Sequence, residues 1–366
     1  MPRKNFLASA ALSSLALVGN TNPAIAFSAS QPAAKAASFA APPSAELSDV
    51  AYRALSLDFG PGVTVPVAVW NPIKTDSTVS SETAVYSHRI SVAKIGDLLA
   101  GWDFIPSFAS RNFELQPTLT SAKVYAAPRT NVMPLPSSGP VVILAHGFLG
   151  SRFDLSHLAE ELASQGFIVV SPEMPESLAA SYPRTDGMDR ASILNKLLDT
   201  IEHDWMIRPS SYGIVGHSLG TGTVISSGDD TWTRVSIAGK PSERASPALF
   251  IGSKNDGAVS LSKIGALPSD YVMLDEGSFT SSDAPLPSKA ALIFDRSDAP
   301  NHISFLAEGP NDAMVQFLSP LLPVAQAMDI PVLDFDKYAK VRDSRQTAEK
   351  VVPLVSRYLK QNMKMN

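Results

Sequence analysis

The 366 residues include no cysteine, which excludes disulfide staples, cysteine-ligated zinc and a thiol nucleophile together. Basic clusters are missing as well: 30 lysines and arginines face 35 acidic residues, for a net charge of −5. Nucleic-acid binding needs grouped cations to neutralise phosphates, so this composition argues against such a partner. Before Glu46 there is no acidic residue at all. What is present is an ordinary globular composition, 45% hydrophobic and 18% charged. A chain of this length can bury a large core, in one big domain or two small ones. Any chemistry falls to oxygen and nitrogen groups, and nothing in the pattern asks for a metal or an organic cofactor.

The first 46 residues read as a leader. Arg3 and Lys4 precede a 13-residue apolar stretch from Phe6 to Val18, and "PAIAFSAS" offers Ala24 and Ala26 as a cleavage signal ahead of Phe27. A membrane span would need about 20 apolar residues, so residues 1–26 read as a signal peptide. Residues 27–46, rich in Ala, Ser and Pro, cannot bury enough surface to fold. They read either as a disordered linker or as a transit-like segment. A signal peptide followed by an acid-free, hydroxylated stretch beginning with Phe resembles the bipartite leaders of algae with secondary plastids, which implies a plastid destination. A periplasmic or secretory leader is the competing expectation.

Residues 47–366 form the folded part. "AYRALSLDF" and "VTVPVAVWNPI", joined by Gly60, Pro61 and Gly62, read as an antiparallel hairpin. Residues 86–116 read as an insertion with a short helix at 92–100. From Val141 onward apolar strands alternate with helical spacing, the mark of a parallel sheet covered on both faces. "VVILA" and "FIVVSP" are buried strands. Between them Leu155, Leu158, Ala159 and Leu162 predict a helix, with Asp154 as its cap and Gly166 just past its end. Ile193, Leu194, Leu197, Leu198 and Ile201 predict a second. The long connection 257–290 reads as a lid or a solvated loop. As a lid it would turn Ile264, Leu267, Tyr271, Val272 and Met273 toward a lipid tail. "SRQTAEKVVPLVSRYLKQ" reads as a final amphipathic helix broken or kinked at Pro353.

The chemistry is carried by "YGIVGHSLGTG", where Gly216, Ser218 and Gly220 make a GxSxG directly after a short apolar strand and before a helix. The bare pattern is short enough to arise by chance, so its context decides. A serine on a sharp strand-to-helix turn exposes its hydroxyl at the top of a sheet, and the flanking glycines relieve clashes in the bend. A serine hydroxyl needs a base, and in this arrangement the order along the chain is serine, acid, histidine. Of the six histidines only His302 lies beyond Ser218. Asp256, in the loop after the strand "PALFIGS", falls between the two and suits the orienting carboxylate. Asp229 and Asp230 stand close behind the elbow helix, while Asp295 and Asp298 share the histidine's own loop. The reading assigns Ser218 as nucleophile, His302 as general base and acid, and Asp256 as the orienting acid. The backbone N–H of Leu219 would serve as one oxyanion donor, and the loop after "VVILA" would supply the other.

From about Val63 to His302 the chain resembles the α/β-hydrolase fold, and within it platelet-activating-factor acetylhydrolases, chlorophyllases and dienelactone-hydrolase-like esterases. "VPVAVWNP" is similar to an early strand of the acetylhydrolases, and "HGFLGSRFDLSHLAEELASQGFIVVSPEM" to both acetylhydrolases and chlorophyllases. The likeness implies a mostly parallel sheet with helices on both faces and makes the backbone N–H of Phe148 the second oxyanion donor. It also implies hydrolysis of lipophilic carboxylic esters through an acyl-enzyme, with peripheral membrane contact in reach. Two departures stand out. The elbow carries Leu219 and Thr221 where plant chlorophyllases resemble GHSRGG, and Asp256 lies one strand later than the acid tends to lie in chlorophyllases. Both favour a more general esterase, whereas a plastid leader would favour a pigment or plastid-lipid ester. A lipid-binding protein on a hydrolase scaffold is the alternative from another class.

Overall fold

A computed structural model of the chain describes residues 49–73, 82–91, 93–94, 98, 110–117, 128, 130, 134–182, 188–277, 284–318 and 342–363. The leader expected over residues 1–46 lies outside the described residues, as does most of the helix expected at 92–100.

The predicted hairpin is formed by β1 (Val50–Asp58) and β2 (Thr64–Pro72), paired antiparallel. Its turn needs glycine, because Gly60 and Gly62 hold φ of 109° and 76°. After a small separate sheet of β3 (Tyr86–Ser91) and β4 (Ser110–Leu115) comes the alternating body. This consists of β5 (Ser138–Ala145), α1 (Ser156–Ser164), β6 (Ile168–Pro172), α2 (Arg190–Asp199), β7 (Arg208–His217), α3 (Gly220–Ser226), β8 (Thr233–Ile237) and β9 (Ala248–Ser253). It ends with α4 (Leu261–Ile264), β10 (Val272–Leu274), β11 (Lys289–Phe294), α5 (Glu308–Leu318) and α6 (Ser344–Asn362). The nine-stranded sheet runs in the order β1-β2-β6-β5-β7-β8-β9-β11-β10. Every pairing from β6 to β10 is parallel, while β2 meets β6 antiparallel. Such an order, antiparallel at the start and then parallel with helical crossovers, is that of the α/β-hydrolase fold.

Strand side chains alternate between the two faces, and both faces are covered. In β5, Val142 and Leu144 join α1 and α6 in one core through Leu158, Leu162, Val351, Val355 and Leu359. Val141, Ile143 and Ala145 face the opposite core with Ile193, Leu194 and Leu197 of α2. The unbroken apolar runs of the sequence thus reflect burial on both sides. The C-terminal ends of β7, β9 and β11 come to one edge of the sheet, where the loops that follow carry the site.

Four local expectations are corrected or refined. Asp154 does not cap α1: Leu155 stands at the cap without a side-chain bond, because the Asp154 carboxylate turns back to accept from the N–H and hydroxyl of Ser151 at 3.0 and 3.1 Å. Pro353 does not break the last helix, which runs unbroken from Ser344 to Asn362. Pro353 is exposed there while Val352 and Leu354 are buried, so its ring faces water. In the described part of 86–116 the strands β3 and β4 pair, residues 93, 94 and 98 between them are helical as expected, and the pair is tied to the body where Trp70 Nε1 donates to the Tyr86 hydroxyl at 2.9 Å and that hydroxyl donates to Glu160 at 2.5 Å. In 257–277 the chain follows the far edge of the sheet. Ile264, Leu267 and Tyr271 pack on Ala248, Phe250 and Ala291, Asp270 pairs with Lys289 and Glu276 with Arg342, and Val272 and Met273 are exposed.

Candidate active site

Ser218 follows β7 directly, in the left-handed region at φ 55°, a conformation that strains a residue with a side chain. Packing around it enforces the bend. A Cβ on Gly216 would lie 2.4 Å from the carbonyl oxygen of Gly220, and one on Gly220 would lie 2.0 Å from that of Ala145. Only glycine fits at either place. The Ser218 N–H is bonded to the carbonyl of Ile237 at 2.9 Å, which fixes the elbow to the neighbouring strand.

The structure brings together the three side chains singled out in the sequence. Ser218 Oγ lies 2.8 Å from His302 Nε2, and His302 Nδ1 lies 2.8 Å from Asp256 Oδ2. Asp256 and His302 are both buried. The other carboxylate oxygen of Asp256 accepts the N–H groups of Ala258 and Val259 at 3.0 and 2.7 Å. His302 opens a short 3₁₀ turn whose cap, Asn301, accepts from the N–H of Ser304. The rival acids are turned elsewhere: Asp229 bonds Thr231, Asp230 meets Arg244, Asp298 meets Arg342, and Asp295 is exposed. A carboxylate, an imidazole and a hydroxyl in this line can pass a proton from serine to histidine while the resulting cation is held beside an anion.

The turn after β5 passes over the serine: a Cβ on Gly147 would stand 2.9 Å from that of Ser218. Among the described residues the N–H groups of Phe148 and Leu219 donate to no protein acceptor, which leaves both free for a developing oxyanion. His146 sets the direction of the first. The Met174 N–H donates to its Nε2 at 2.9 Å, so its proton sits on Nδ1, 2.8 Å from the carbonyl oxygen of Gly147. That carbonyl belongs to the same planar trans peptide as the Phe148 N–H. Holding the oxygen on one side aims the N–H to the other.

Beneath this turn lies a buried ionic cluster that the sequence did not disclose. Glu173 is fully buried and meets Arg152 Nη1 at 2.5 Å, the Ser177 hydroxyl, and His146 Nε2 at 3.5 Å. Burial alone would raise its pKa, but the Arg152 guanidinium outweighs it and holds the carboxyl well below the ordinary range. Asp154 moves the other way: burial pushes it up to about 6, against the Ser151 bonds. His88, buried beside this cluster, is lowered to about 4 by desolvation. An acid and a base in tandem after apolar strands were the available sequence signal, but the pair Arg152–Glu173 bridges separate elements and has no local spacing. Among the described residues no group of three or more histidine or acidic side chains is placed to hold a metal. Nor is any described helix long and apolar enough to cross a membrane.

The family model described as platelet-activating factor acetylhydrolase, isoform II, matches residues 108–208. Among solved structures, a ferulic acid esterase from Streptomyces cinnamoneus is 16% identical with a TM-score of 0.42, over 88% of this chain and 92% of its own. An α/β serine hydrolase without lid from Xanthomonas campestris is 12% identical with a TM-score of 0.37, over 77% and 96% of the two chains. No curated protein matches the sequence significantly. The strand order is that of the α/β-hydrolase fold, and at its elbow Ser218 stands in line with His302 and Asp256.

Proposed function

We propose that the protein hydrolyses carboxylic esters through an acyl-enzyme on Ser218. The carrying observation is the continuous line from Ser218 Oγ through His302 to Asp256, each contact at 2.8 Å. His302 takes the serine proton as Oγ attacks the ester carbonyl, and Asp256 holds the imidazole with its Nδ1–H turned inward. The carbonyl oxygen becomes an oxyanion between the N–H groups of Phe148 and Leu219, each worth about 3 kcal/mol in the transition state. His302 then gives its proton to the leaving alcohol. Water repeats the sequence on the acyl-enzyme and frees the acid.

For the substrate, we favour a lipophilic or short-acyl ester of acetylhydrolase type. The family match supports this choice, because residues 108–208 include the oxyanion turn. A second reading, removal of phytol from a chlorophyll, is supported by the acid-free stretch before Glu46, which would carry the enzyme into a plastid and beside its membranes. Fluorophosphonate labelling of the whole chain, lost in Ser218→Ala, tests the hydrolase chemistry. Parallel incubation with a short-tail phospholipid, chlorophyll a and p-nitrophenyl esters separates the substrates. Turnover of the phospholipid and not the pigment is the expected result; pigment turnover would reverse the preference, and an unlabelled wild-type chain would overturn the enzyme reading. A reporter fused behind residues 1–46 tests the destination.

A further inference from the structure

The residue just before the nucleophile, His217, has no part in proton transfer, yet it is buried against the triad. Its ring lies 4.8 Å from that of His302, centre to centre, and its Nε2 is 3.0 Å from the carbonyl oxygen of His302. A carbonyl can only accept, so the proton of His217 is on Nε2. Its Nδ1 is buried with no hydrogen-bond partner, as fits a bare ring nitrogen and not an N–H donor, which would be costly to bury unpaired.

We infer that His217 is a positioning residue: its Nε2–H tethers the backbone of His302 and thereby sets the distance between the nucleophile and its base. The inference rests on the ester-hydrolase reading of Ser218 and His302. Asp256 orients the imidazole of His302 but leaves its backbone free to shift with the loop after β11. The bond from His217 closes a circuit. It runs from Ser218 Oγ through the serine backbone to His217, across to the His302 carbonyl, and back through the His302 imidazole to Oγ. Only two links in it are non-covalent, at 3.0 and 2.8 Å. Because residues 217 and 218 are consecutive, the tether and the nucleophile move as one body, and displacement of the histidine loop is resisted at the elbow itself.

The same position demands a neutral group. His302 becomes a cation during each proton transfer, and a second cation beside it would oppose that step. Burial holds the His217 imidazole well below its ordinary range, and the neighbouring His302 acts in the same direction. A lysine or arginine could donate to the carbonyl but would keep its charge.

The test compares three variants of the full chain with wild type. In His217→Gln the amide nitrogen reaches the place of Nε2 and keeps the donor. His217→Asn reaches only the place of Nδ1, and His217→Leu keeps bulk alone. With a p-nitrophenyl ester, Leu and Asn are expected to lower kcat by about 10- to 100-fold, the loss that follows a small misplacement of reacting groups. KM should stay nearly unchanged, and Gln should recover most of the rate. Thermal melting registers any general damage. Equal kcat in Gln and Asn overturns the tether, and so does a folded Leu variant with wild-type kcat. If Leu does not fold, the Gln and Asn pair still decides. NMR of isotope-labelled histidine in the wild type gives a readout that does not need turnover: His217 is expected as the neutral Nε2–H form near neutral pH. An Nδ1–H form would overturn the tether even in a chain without esterase activity, a result that would separately overturn the proposed function.

Discussion

Gly147 stands so close above Ser218 that a Cβ on it would come within 2.9 Å of the serine Cβ and 3.3 Å of the His217 carbonyl oxygen. The turn therefore has no room for any other residue while the Phe148 N–H keeps its aim. Gly147→Ala should lift the turn by tenths of an ångström and lower kcat about 10- to 100-fold. KM and the melting temperature should change little. Steady-state kinetics beside a thermal melt checks this, and an unchanged kcat would remove Phe148 as an oxyanion donor.

Asp256 accepts two backbone N–H groups with one oxygen and His302 with the other. Asp256→Asn can keep the first set, so the loop should fold as before. The amide in place of the second oxygen favours the wrong imidazole tautomer, and kcat should fall by about 10⁴-fold. Fluorophosphonate labelling of Ser218 should slow in step. Labelling at the wild-type rate would point to another carboxylate.

Tyr86 joins the β3–β4 hairpin to the body, accepting from Trp70 and donating to Glu160, with its hydroxyl fully buried among them. Tyr86→Phe leaves the buried Trp70 N–H without this acceptor and takes a donor from Glu160. The expected cost is about 1–3 kcal/mol in chemical unfolding. A loss within experimental error would show that the hairpin is held by packing alone.

Acid stability should depend on His157, which is buried in α1 and whose pKa desolvation lowers from the ordinary 6.5 to about 3. The unfolded chain takes up this proton below 6.5 and the folded chain does not until about 3, so the stability His157 contributes is present above 6.5 and lost as the pH falls through that window. The slope from one such group approaches 1.4 kcal/mol per pH unit, as an order of magnitude. His157→Gln should flatten the acid limb of stability against pH measured by denaturant titration; an unchanged limb would mean that other groups govern it.

How far these features were legible in the sequence follows the range of the interactions behind them. The elbow was readable because its constraint is local: two glycines and a serine between an apolar strand and a helix. His302 and Asp256 followed from chain order and from the strands that precede them. The cap of α1 was misjudged because Ser151 competes for the Asp154 carboxylate from three residues upstream, and spacing cannot say which partner wins. A break at Pro353 does not follow from the residue alone, because its effect depends on which face it occupies, and here it lies on the exposed face of a continuous helix. The pairs Arg152 with Glu173 and His217 with the His302 carbonyl are 21 and 85 residues apart. No periodicity announces a contact of that kind; it exists only once the sheet has assembled.

The last helix has a consequence for the order in which the chain can mature. From Ser344 to Asn362 it lies over β-strand residues such as Val142, Leu144 and Val215, synthesised far earlier. Until residues 344–362 leave the ribosome, that side of the sheet lacks one of its two covering helices, and the apolar side chains left open are prone to clumping. A nascent chain must therefore be shielded, by a chaperone or by its own slow collapse, until this helix has emerged, and a stop codon just before Ser344 would yield a sticky fragment in place of a smaller enzyme.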